Sequence, residues 1–191
     1  MDDFTFFFRK YQTDKPKYGD FYTRYFSNLN PAILLEIGVL KGGSIRAWRD
    51  IFQDTRVTGI DIDPKCKEGN EDLEILIGDQ TDTKFLNWVL ANVGIPDIII
   101  DDGGHSRSHQ ILSFRYLFPR MKSGGIYVIE DLETCMLEDY DDYPESTIKV
   151  ISDLIIPSNF DGTKGKKVGF KFDYAYSSIT FEYNICMVVK R

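Results

Sequence analysis

Five short apolar runs alternate with helix-like stretches over the first 130 residues of this 191-residue chain. The runs cover residues 33–39, 57–63, 73–78, 97–101 and 126–130. Strands that alternate with helices are typical of a doubly wound α/β fold, in which helices cover both faces of a parallel sheet. The intervening helices are expected at residues 44–52, 82–93 and 108–121. The length suits one domain with a full core.

The character of the chain changes after residue 130. Residues 138–145 are acidic and predict an exposed loop, and residues 146–156 predict a helix. Two strand-like runs follow at residues 168–176 and 179–189, and their close connection predicts an antiparallel hairpin that turns at Ser177-Ser178. The expected fold is therefore a Rossmann-like, mostly parallel seven-stranded sheet with a C-terminal antiparallel hairpin.

The aromatic residues of the N-terminal segment are expected to pack over the sheet. We predict a division into a cap, residues 1–30, and a ligand-binding domain, residues 31–191. The same aromatic segment is a candidate interface, so a homo-oligomer is left open.

Composition excludes several kinds of partner. The formal net charge of -7 argues against a nucleic-acid backbone, and no apolar run reaches the roughly 20 residues of a membrane span. Cys66, Cys135 and Cys186 are scattered and show no metal or redox spacing. A reducing cytoplasm is therefore the expected location.

Acidic side chains and a histidine gather where two predicted strands end. Asp101, Asp102 and His105 follow one apolar run, and Glu130-Asp131 follow another. Ligands of open α/β sheets bind outside the carboxyl ends of the strands. Carboxylates suit a hard cation and an imidazole suits a general base, so the pattern indicates metal-assisted proton abstraction. Asp101 also has simpler interpretations, as a helix cap or as the partner of a Lys or Arg.

A glycine-rich loop between the first strand and helix indicates a second ligand contact. Gly38, Gly43 and Ser44 lie in this loop, where the backbone and the helix N-terminus are open to a ligand. The spacing is not G-x-G-x-x-G, which counts against a nicotinamide or flavin cofactor. Asp61 ends the second strand, where a carboxylate suits the two hydroxyls of a ribose.

Four further polar residues have either a ligand-binding or a structural interpretation, and for Asp79 both ligand contact and helix capping are open. Asp79 and Gln80 end the third strand and are expected near the base of an adenosine, whereas Asp82 is expected to cap a helix. Glu36 lies inside an apolar strand and needs a partner, because an unpaired buried carboxylate is costly. A ligand ammonium group or a backbone amide would serve.

These motifs resemble those of known enzymes. Glu36-Ile37-Gly38, Gly42-Gly43-Ser44, residues 59–63 and Gly78-Asp79 resemble the class I S-adenosylmethionine-dependent methyltransferases. More narrowly, residues 100–105, residues 125–134 and Thr13-Asp14-Lys15 resemble the magnesium-dependent macrolide-sugar O-methyltransferases of the mycinamicin and tylosin type, and cephalosporin-hydroxylase-like proteins share a similar pattern. The resemblance runs from about residue 13 to residue 134.

The resemblance implies an enzyme that uses S-adenosylmethionine and Mg²⁺ to methylate a hydroxyl of a sugar, a glycosylated natural product or a polysaccharide. It implies His105 as the general base, with Asp102 as the other catalytic residue. It implies a metal site formed by Asp102, Glu130 and Asp131. The candidate cofactor-binding residues, from the motifs and the resemblance together, are Glu36, Gly38, Gly43, Ser44, Asp61, Asp79, Gln80 and Asp101.

Two other functions are kept as alternatives. The first is a nicotinamide-dependent sugar oxidoreductase, although the dinucleotide fingerprint and a Tyr-x-x-x-Lys pair in the body of the fold are both missing. The second is a non-catalytic module that retains only the cofactor pocket.

Overall fold

A computed structural model describes residues 3–154 and 176–191 of the chain and forms a seven-stranded sheet from them. The strand order is β3-β2-β1-β4-β5-β7-β6; β1 to β5 run parallel, and β6 and β7 pair antiparallel. The strands are β1 (Ile33–Ile37), β2 (Arg56–Asp61), β3 (Glu74–Ile77), β4 (Ile98–Asp101), β5 (Ile126–Ile129), β6 (Tyr176–Glu182) and β7 (Ile185–Lys190). The predicted sheet, mostly parallel with a C-terminal antiparallel hairpin, is confirmed.

Four of the helices in the described ranges begin at a side-chain cap. The α-helices are α1 (Phe4–Lys10), α2 (Gly19–Phe26), α3 (Gly43–Ile51), α4 (Thr83–Val93), α5 (Arg107–Leu117) and α6 (Thr147–Asp153). Asp82 caps α4, as predicted, by accepting a hydrogen bond from the Lys84 N–H. The helix predicted to reach residue 121 ends earlier, because Pro119 has no N–H to donate and a short 3-10 turn replaces its last residues. No helix in the described ranges is both long enough and apolar enough to cross a membrane.

Alternate residues along the strands feed two separate cores. On one face, Leu34 and Ile100 pack with Trp48 of α3 and with the rings of α1 and α2. On the other face, Leu35 and Ile99 pack with side chains of α4, α5 and α6. Both faces of the parallel sheet are therefore covered, which explains the continuous apolar runs in the sequence.

The N-terminal segment packs its aromatic rings around Trp48. The rings of Phe8 and Tyr22 lie edge-on to Trp48, with centroid distances of 5.1 Å and 5.0 Å. Pairs of this geometry each add about 0.5–1.5 kcal/mol beyond the area they bury. These rings share a core with Leu34 of β1. The division of the chain at residue 30 stays a prediction.

The predicted position of the C-terminal turn is wrong. Ser177 and Ser178 lie inside β6, and the chain turns at Tyr183-Asn184, between the paired residues Glu182 and Ile185. Asn184 has φ 55°, a left-handed conformation that asparagine tolerates well in turns. β6 is an edge strand with a largely exposed face, and the serines lie where its pairing register with β7 shifts, between Tyr176 and Ser178. Most of the predicted run 168–176 falls outside the described residues.

Candidate functional site

The carboxyl ends of the first four strands open into a cavity of about 760 Å³. This volume is within the usual range for a small-molecule site. The cavity wall includes these residues that the sequence singled out: Gly38, Gly43, Ser44, Asp61, Asp79, Gln80, Asp102 and His105. Three others, Glu36, Asp101 and Glu130, are at most 1% exposed and lie behind the wall.

Gly38 lets two loops meet at the base of this cavity. It follows β1 with φ 90°, and a Cβ there would overlap the carbonyl oxygen of Asp102. Any larger residue would push the loop after β1 away from the loop after β4. Gly43 and Ser44 begin α3 and line the cavity, so the helix N-terminus borders it.

The carboxylate of Asp61 is held at the cavity by three backbone amides. Its Oδ2 accepts hydrogen bonds from the N–H groups of Val39 at 2.8 Å and Leu40 at 3.2 Å. Its Oδ1 accepts one from the Asp63 N–H at 2.9 Å. The side chain is therefore fixed while it lines the cavity, which suits recognition of paired hydroxyls.

Gln80 connects the cavity wall to a buried acid. Its Nε2 donates to Asp101 Oδ1 at 3.1 Å, and its Oε1 accepts from the Gly104 N–H at 2.8 Å. Asp101 also accepts hydrogen bonds from the hydroxyls of Ser113 at 2.6 Å and Tyr127 at 2.8 Å. Burial raises the pKa of Asp101 against the effect of these donors. Among residues 3–154 and 176–191, Asp101 is thus neither a helix cap nor the partner of a Lys or Arg, and Gln80 braces the loop that carries His105.

His105 lies in a loop whose backbone is fixed by hydrogen bonds before and after its Cα. Its φ is 59°, in the left-handed region, and its carbonyl accepts a hydrogen bond from Thr134 Oγ1 at 2.8 Å. The ring is 26% exposed and lines the cavity. His109, which the sequence did not place among the site residues, lines the same cavity, and a Cβ on Gly104 would overlap its ring.

Asp102, His105 and Asp131 each offer a ligand atom, and these atoms lie within 4.8 Å of one another. His105 Nε2 lies 4.0 Å from Asp131 Oδ2. Asp131 Oδ1 accepts hydrogen bonds of 2.6 Å from Lys17 Nζ and from the Tyr18 hydroxyl. Burial opposes ionisation of Asp131, but these two donors hold its pKa below the usual range. Two carboxylates with an open side fit a hard divalent cation that retains some waters.

Lys15 belongs to the Thr13-Asp14-Lys15 motif, but it was not predicted as a residue of the site. Its ammonium is completely buried and lies 2.6 Å from Asp102, 2.9 Å from Glu130 and 3.2 Å from Glu36. Burial disfavours the charge, but the three carboxylates outweigh this and raise the pKa of Lys15 well above its usual value. Glu36 therefore has this ammonium as an ion-pair partner, while neither of its carboxylate oxygens has a hydrogen-bond partner among the described residues. The signal in the sequence was three acids on neighbouring strand ends that needed a cation.

Glu130 lies on the far side of this ammonium. Its Oε2 pairs with Lys15 and its Oε1 accepts a hydrogen bond from the buried Tyr22 hydroxyl. Burial raises the pKa of Glu130 to about 8, against the effect of Lys15. The structure thus gathers Asp102 and Asp131 beside His105, whereas Glu130 faces the buried side.

The acidic segment 138–145 is tied to the start of α5. Asp142 accepts hydrogen bonds from the Ser108 N–H at 2.9 Å and from the Ser106 hydroxyl at 2.8 Å. Arg107 pairs with Asp141 and donates to the Cys135 carbonyl at 2.7 Å. These contacts hold the segment next to the loop of His105.

Comparisons with known proteins place this geometry among methyltransferases. No protein-family model matches the chain. It is 39% identical over 128 residues to the 8-demethyl-8-(2-methoxy-alpha-L-rhamnosyl)-tetracenomycin-C 3'-O-methyltransferase of Streptomyces olivaceus, a match that covers 62% of this chain and 33% of the relative. It is 40% identical over 108 residues to the mycinamicin VI 2''-O-methyltransferase of Micromonospora griseorubida, covering 53% of this chain and 27% of the relative.

A solved structure extends this similarity over the whole fold. The methyltransferase MycE from the mycinamycin pathway, in complex with Mg, SAH and mycinamycin VI, matches with a TM-score of 0.87 and 27% identity. The match covers 99% of this chain and 53% of MycE, so the chain spans about half of that enzyme and about a third of the curated relatives. The chain therefore has the class I methyltransferase fold and is homologous to one part of the sugar O-methyltransferases of the mycinamicin and tetracenomycin pathways.

Proposed function

We propose that this chain is an S-adenosylmethionine-dependent, magnesium-assisted O-methyltransferase that acts on a hydroxyl of a sugar, on a glycosylated natural product or a polysaccharide. The observation that carries the proposal is that Asp61, Asp102 and His105 line one cavity. A side chain that would bind ribose, one that would bind the metal and a candidate general base thus line the same cavity. The named activities of the relatives and the Mg and SAH bound to MycE support it.

The cofactor would lie along the loops after β1, β2 and β3. Asp61 would accept hydrogen bonds from the ribose hydroxyls, and Asp79 would lie at the base. Gly38, Gly43 and Ser44 would border the amino-acid end. Bound S-adenosylmethionine supplies an activated methyl group. Gln80 would act from the wall itself and Asp101 from behind it, where together they hold the Gly103-Gly104 loop in place.

Asp102 and Asp131 would hold the divalent cation from the open side of the cluster. Glu130 remains the third proposed ligand, and its carboxylate lies against the same ammonium as Asp102. When bound, the cation lowers the pKa of a chelated hydroxyl and fixes its direction. Mg²⁺ prefers oxygen ligands, which leaves the imidazole of His105 free to act as a base.

His105 would take the proton of the acceptor hydroxyl. An imidazole has a reference pKa of about 6.5 and accepts a proton near neutral pH. The carboxylate of Asp131, 4.0 Å from Nε2, would stabilise the protonated ring. The hydrogen bonds of Gly104 and of the His105 carbonyl fix the backbone on both sides of the ring's attachment point, so the base is oriented before the acceptor arrives.

The relatives do not favour a nicotinamide-dependent oxidoreductase, since their names are those of O-methyltransferases. We also place the reaction in a reducing compartment such as the cytoplasm, which the three free, buried cysteines support.

The proposal is tested by methyl transfer from radiolabelled S-adenosylmethionine to a panel of rhamnosyl and related deoxysugar glycosides with neighbouring hydroxyls. We expect transfer that EDTA abolishes, that added Mg²⁺ restores and that His105→Ala eliminates. The exposed Asp139→Asn variant serves as the control with full activity. Binding of S-adenosylhomocysteine without transfer to any glycoside would favour the non-catalytic module instead.

A further inference from the structure

The buried ammonium of Lys15 joins carboxylates from three neighbouring strands. Glu36 belongs to β1, Asp102 follows β4 and Glu130 follows β5. The Lys15 side chain has no exposed area, so it does not reach an acceptor or a cofactor in the cavity. Its effect on the site must pass through the acids that it contacts.

Asp102 is held by this ammonium through one oxygen only. Oδ2 accepts the hydrogen bond from Lys15 Nζ, and Oδ1 accepts none from residues 3–154 or 176–191. The Asp102 side chain is 15% exposed and lines the cavity, on the side where His105 and Asp131 lie. Lys15 thus binds the inner oxygen and leaves the outer one available to a cation.

The segment that carries Lys15 contacts every proposed metal ligand. Lys17 and Tyr18 donate to Asp131, and Tyr22 donates to Glu130. The backbone of Lys15 is itself anchored, since its N–H donates to Thr13 Oγ1 at 3.1 Å. One short stretch of chain therefore contacts all three proposed metal ligands, and Lys15 contacts two of them.

We propose that Lys15 is a positioning residue that orients Asp102 and Glu130 for the divalent cation. The inference rests on the metal site of the proposed function. A compact ammonium with three donors matches three converging carboxylates, whereas the planar guanidinium of arginine does not. Without the ammonium, the buried carboxylates would repel one another and take up protons or separate. Either response removes the fixed arrangement that a cation requires.

The test compares Lys15→Met with Lys10→Met, a control from the same segment whose exposed ammonium pairs with Asp50. Mn²⁺ binding is followed by electron paramagnetic resonance and S-adenosylhomocysteine binding by calorimetry, at a temperature where all proteins are folded. We expect Lys15→Met to bind Mn²⁺ about 10–100-fold more weakly, the usual cost of losing a partner of a metal ligand. S-adenosylhomocysteine binding should be unchanged, and the control should match the wild type in both.

Three results would overturn the proposal. Equal or tighter Mn²⁺ binding by Lys15→Met would show that the ammonium orients nothing that the cation needs. An equal loss of Mn²⁺ and S-adenosylhomocysteine binding would assign Lys15 a general structural role. Absence of Mn²⁺ binding by the wild-type protein would instead contradict the metal site itself, and this result is distinct from the other two.

A measurement on the wild-type protein covers the case in which Lys15→Met does not fold. In protein labelled with ¹⁵N-lysine, the Lys15 ammonium should exchange its protons slowly, and its signal should shift when Mg²⁺ is added. The Lys10 ammonium should do neither. A Lys15 signal that ignores a saturating Mg²⁺ titration would contradict the proposal.

Discussion

The ammonium of Lys15 lies 2.6 Å from the carboxylate of Asp102, which is 87 residues further along the chain. This ion pair connects the N-terminal segment to the loop after β4, at the point where the candidate metal ligands meet the cavity. The packing of the segment on the sheet and the arrangement of the site therefore depend on the same contact. Stability and ligand binding should respond together when this contact is changed.

Loss of the Lys15 ammonium should destabilise the fold strongly. Lys15→Met leaves three buried carboxylates without a cation, and breaking a buried ion pair from one side costs about 3–5 kcal/mol. Urea unfolding at neutral pH measures the change in the free energy of unfolding. The exposed Lys10→Met variant should not differ measurably from the wild type. Equal stability of the two variants would mean that the buried ion pairs do not hold the segment in place.

Gln80→Leu should loosen the loop that carries His105. The substitution removes the acceptor of the Gly104 N–H and one donor to buried Asp101, a loss of about 1–3 kcal/mol. Amide hydrogen exchange at Gly104 should accelerate by more than the loss of global stability explains. Exchange of the amides in the sheet should change only as much as the free energy of unfolding changes. Gln53→Leu, at an exposed position, is the matched control. Unchanged exchange at Gly104 would show that another contact holds the loop.

Asp61→Asn should weaken cofactor binding selectively. The amide oxygen keeps an acceptor for the N–H groups of Val39 and Leu40, whereas the acceptor of the Asp63 N–H and the charge that would hold the ribose hydroxyls are both lost. A hydrogen bond to a charged group is worth about 1.5–3 kcal/mol, so S-adenosylhomocysteine affinity should fall about 10–100-fold. Calorimetry measures this against Asp63→Asn, which should bind normally. Equal affinities of the two variants would remove Asp61 from the proposed ribose contact.

Asp97 should give the protein part of its acid sensitivity. Burial opposes ionisation of this carboxyl, but Lys122 and the N–H groups of Ile33 and Ala32 hold its pKa below its usual value. A lowered folded-state pKa adds stability that is present above the unfolded pKa and lost as the pH falls through the folded pKa. Urea unfolding from about pH 3 to about pH 6 should therefore show a shallower rise in stability for Asp97→Asn than for the wild type. The exposed Glu133→Gln control should show the same rise as the wild type. If the free energy of unfolding of Asp97→Asn rises with pH as steeply as that of this control, the assignment is contradicted.

The sheet was predictable from sequence because its signals are local. Each parallel strand is a short, mostly apolar run, and the flanking caps, such as Asp82, mark where helices begin. The C-terminal turn was misplaced because two serines resemble a turn, whereas here they lie inside an exposed edge strand, at a local shift in its pairing register. The actual turn is formed by Tyr183 and the left-handed Asn184, and it contains no glycine or proline that would mark it in the sequence.

The location of the site was predictable from the sequence, but the hydrogen bonds and ion pairs among its residues were not. Residues at strand ends had to converge on one edge of a parallel sheet, and Asp61, Asp79, Asp102 and His105 do so. Which of them pair with protein groups depends on contacts between distant segments. Lys15 and Gln80 show this, since the partners of each lie on strands and loops that only the folded chain brings together.

The central claim, a cofactor cavity joined to a metal site, is tested most directly by calorimetric titration of S-adenosylmethionine and S-adenosylhomocysteine into the purified chain, with and without Mg²⁺. The account predicts that both ligands bind at one site and that Asp61→Asn weakens both. Failure of both ligands to bind, with and without Mg²⁺, would contradict it.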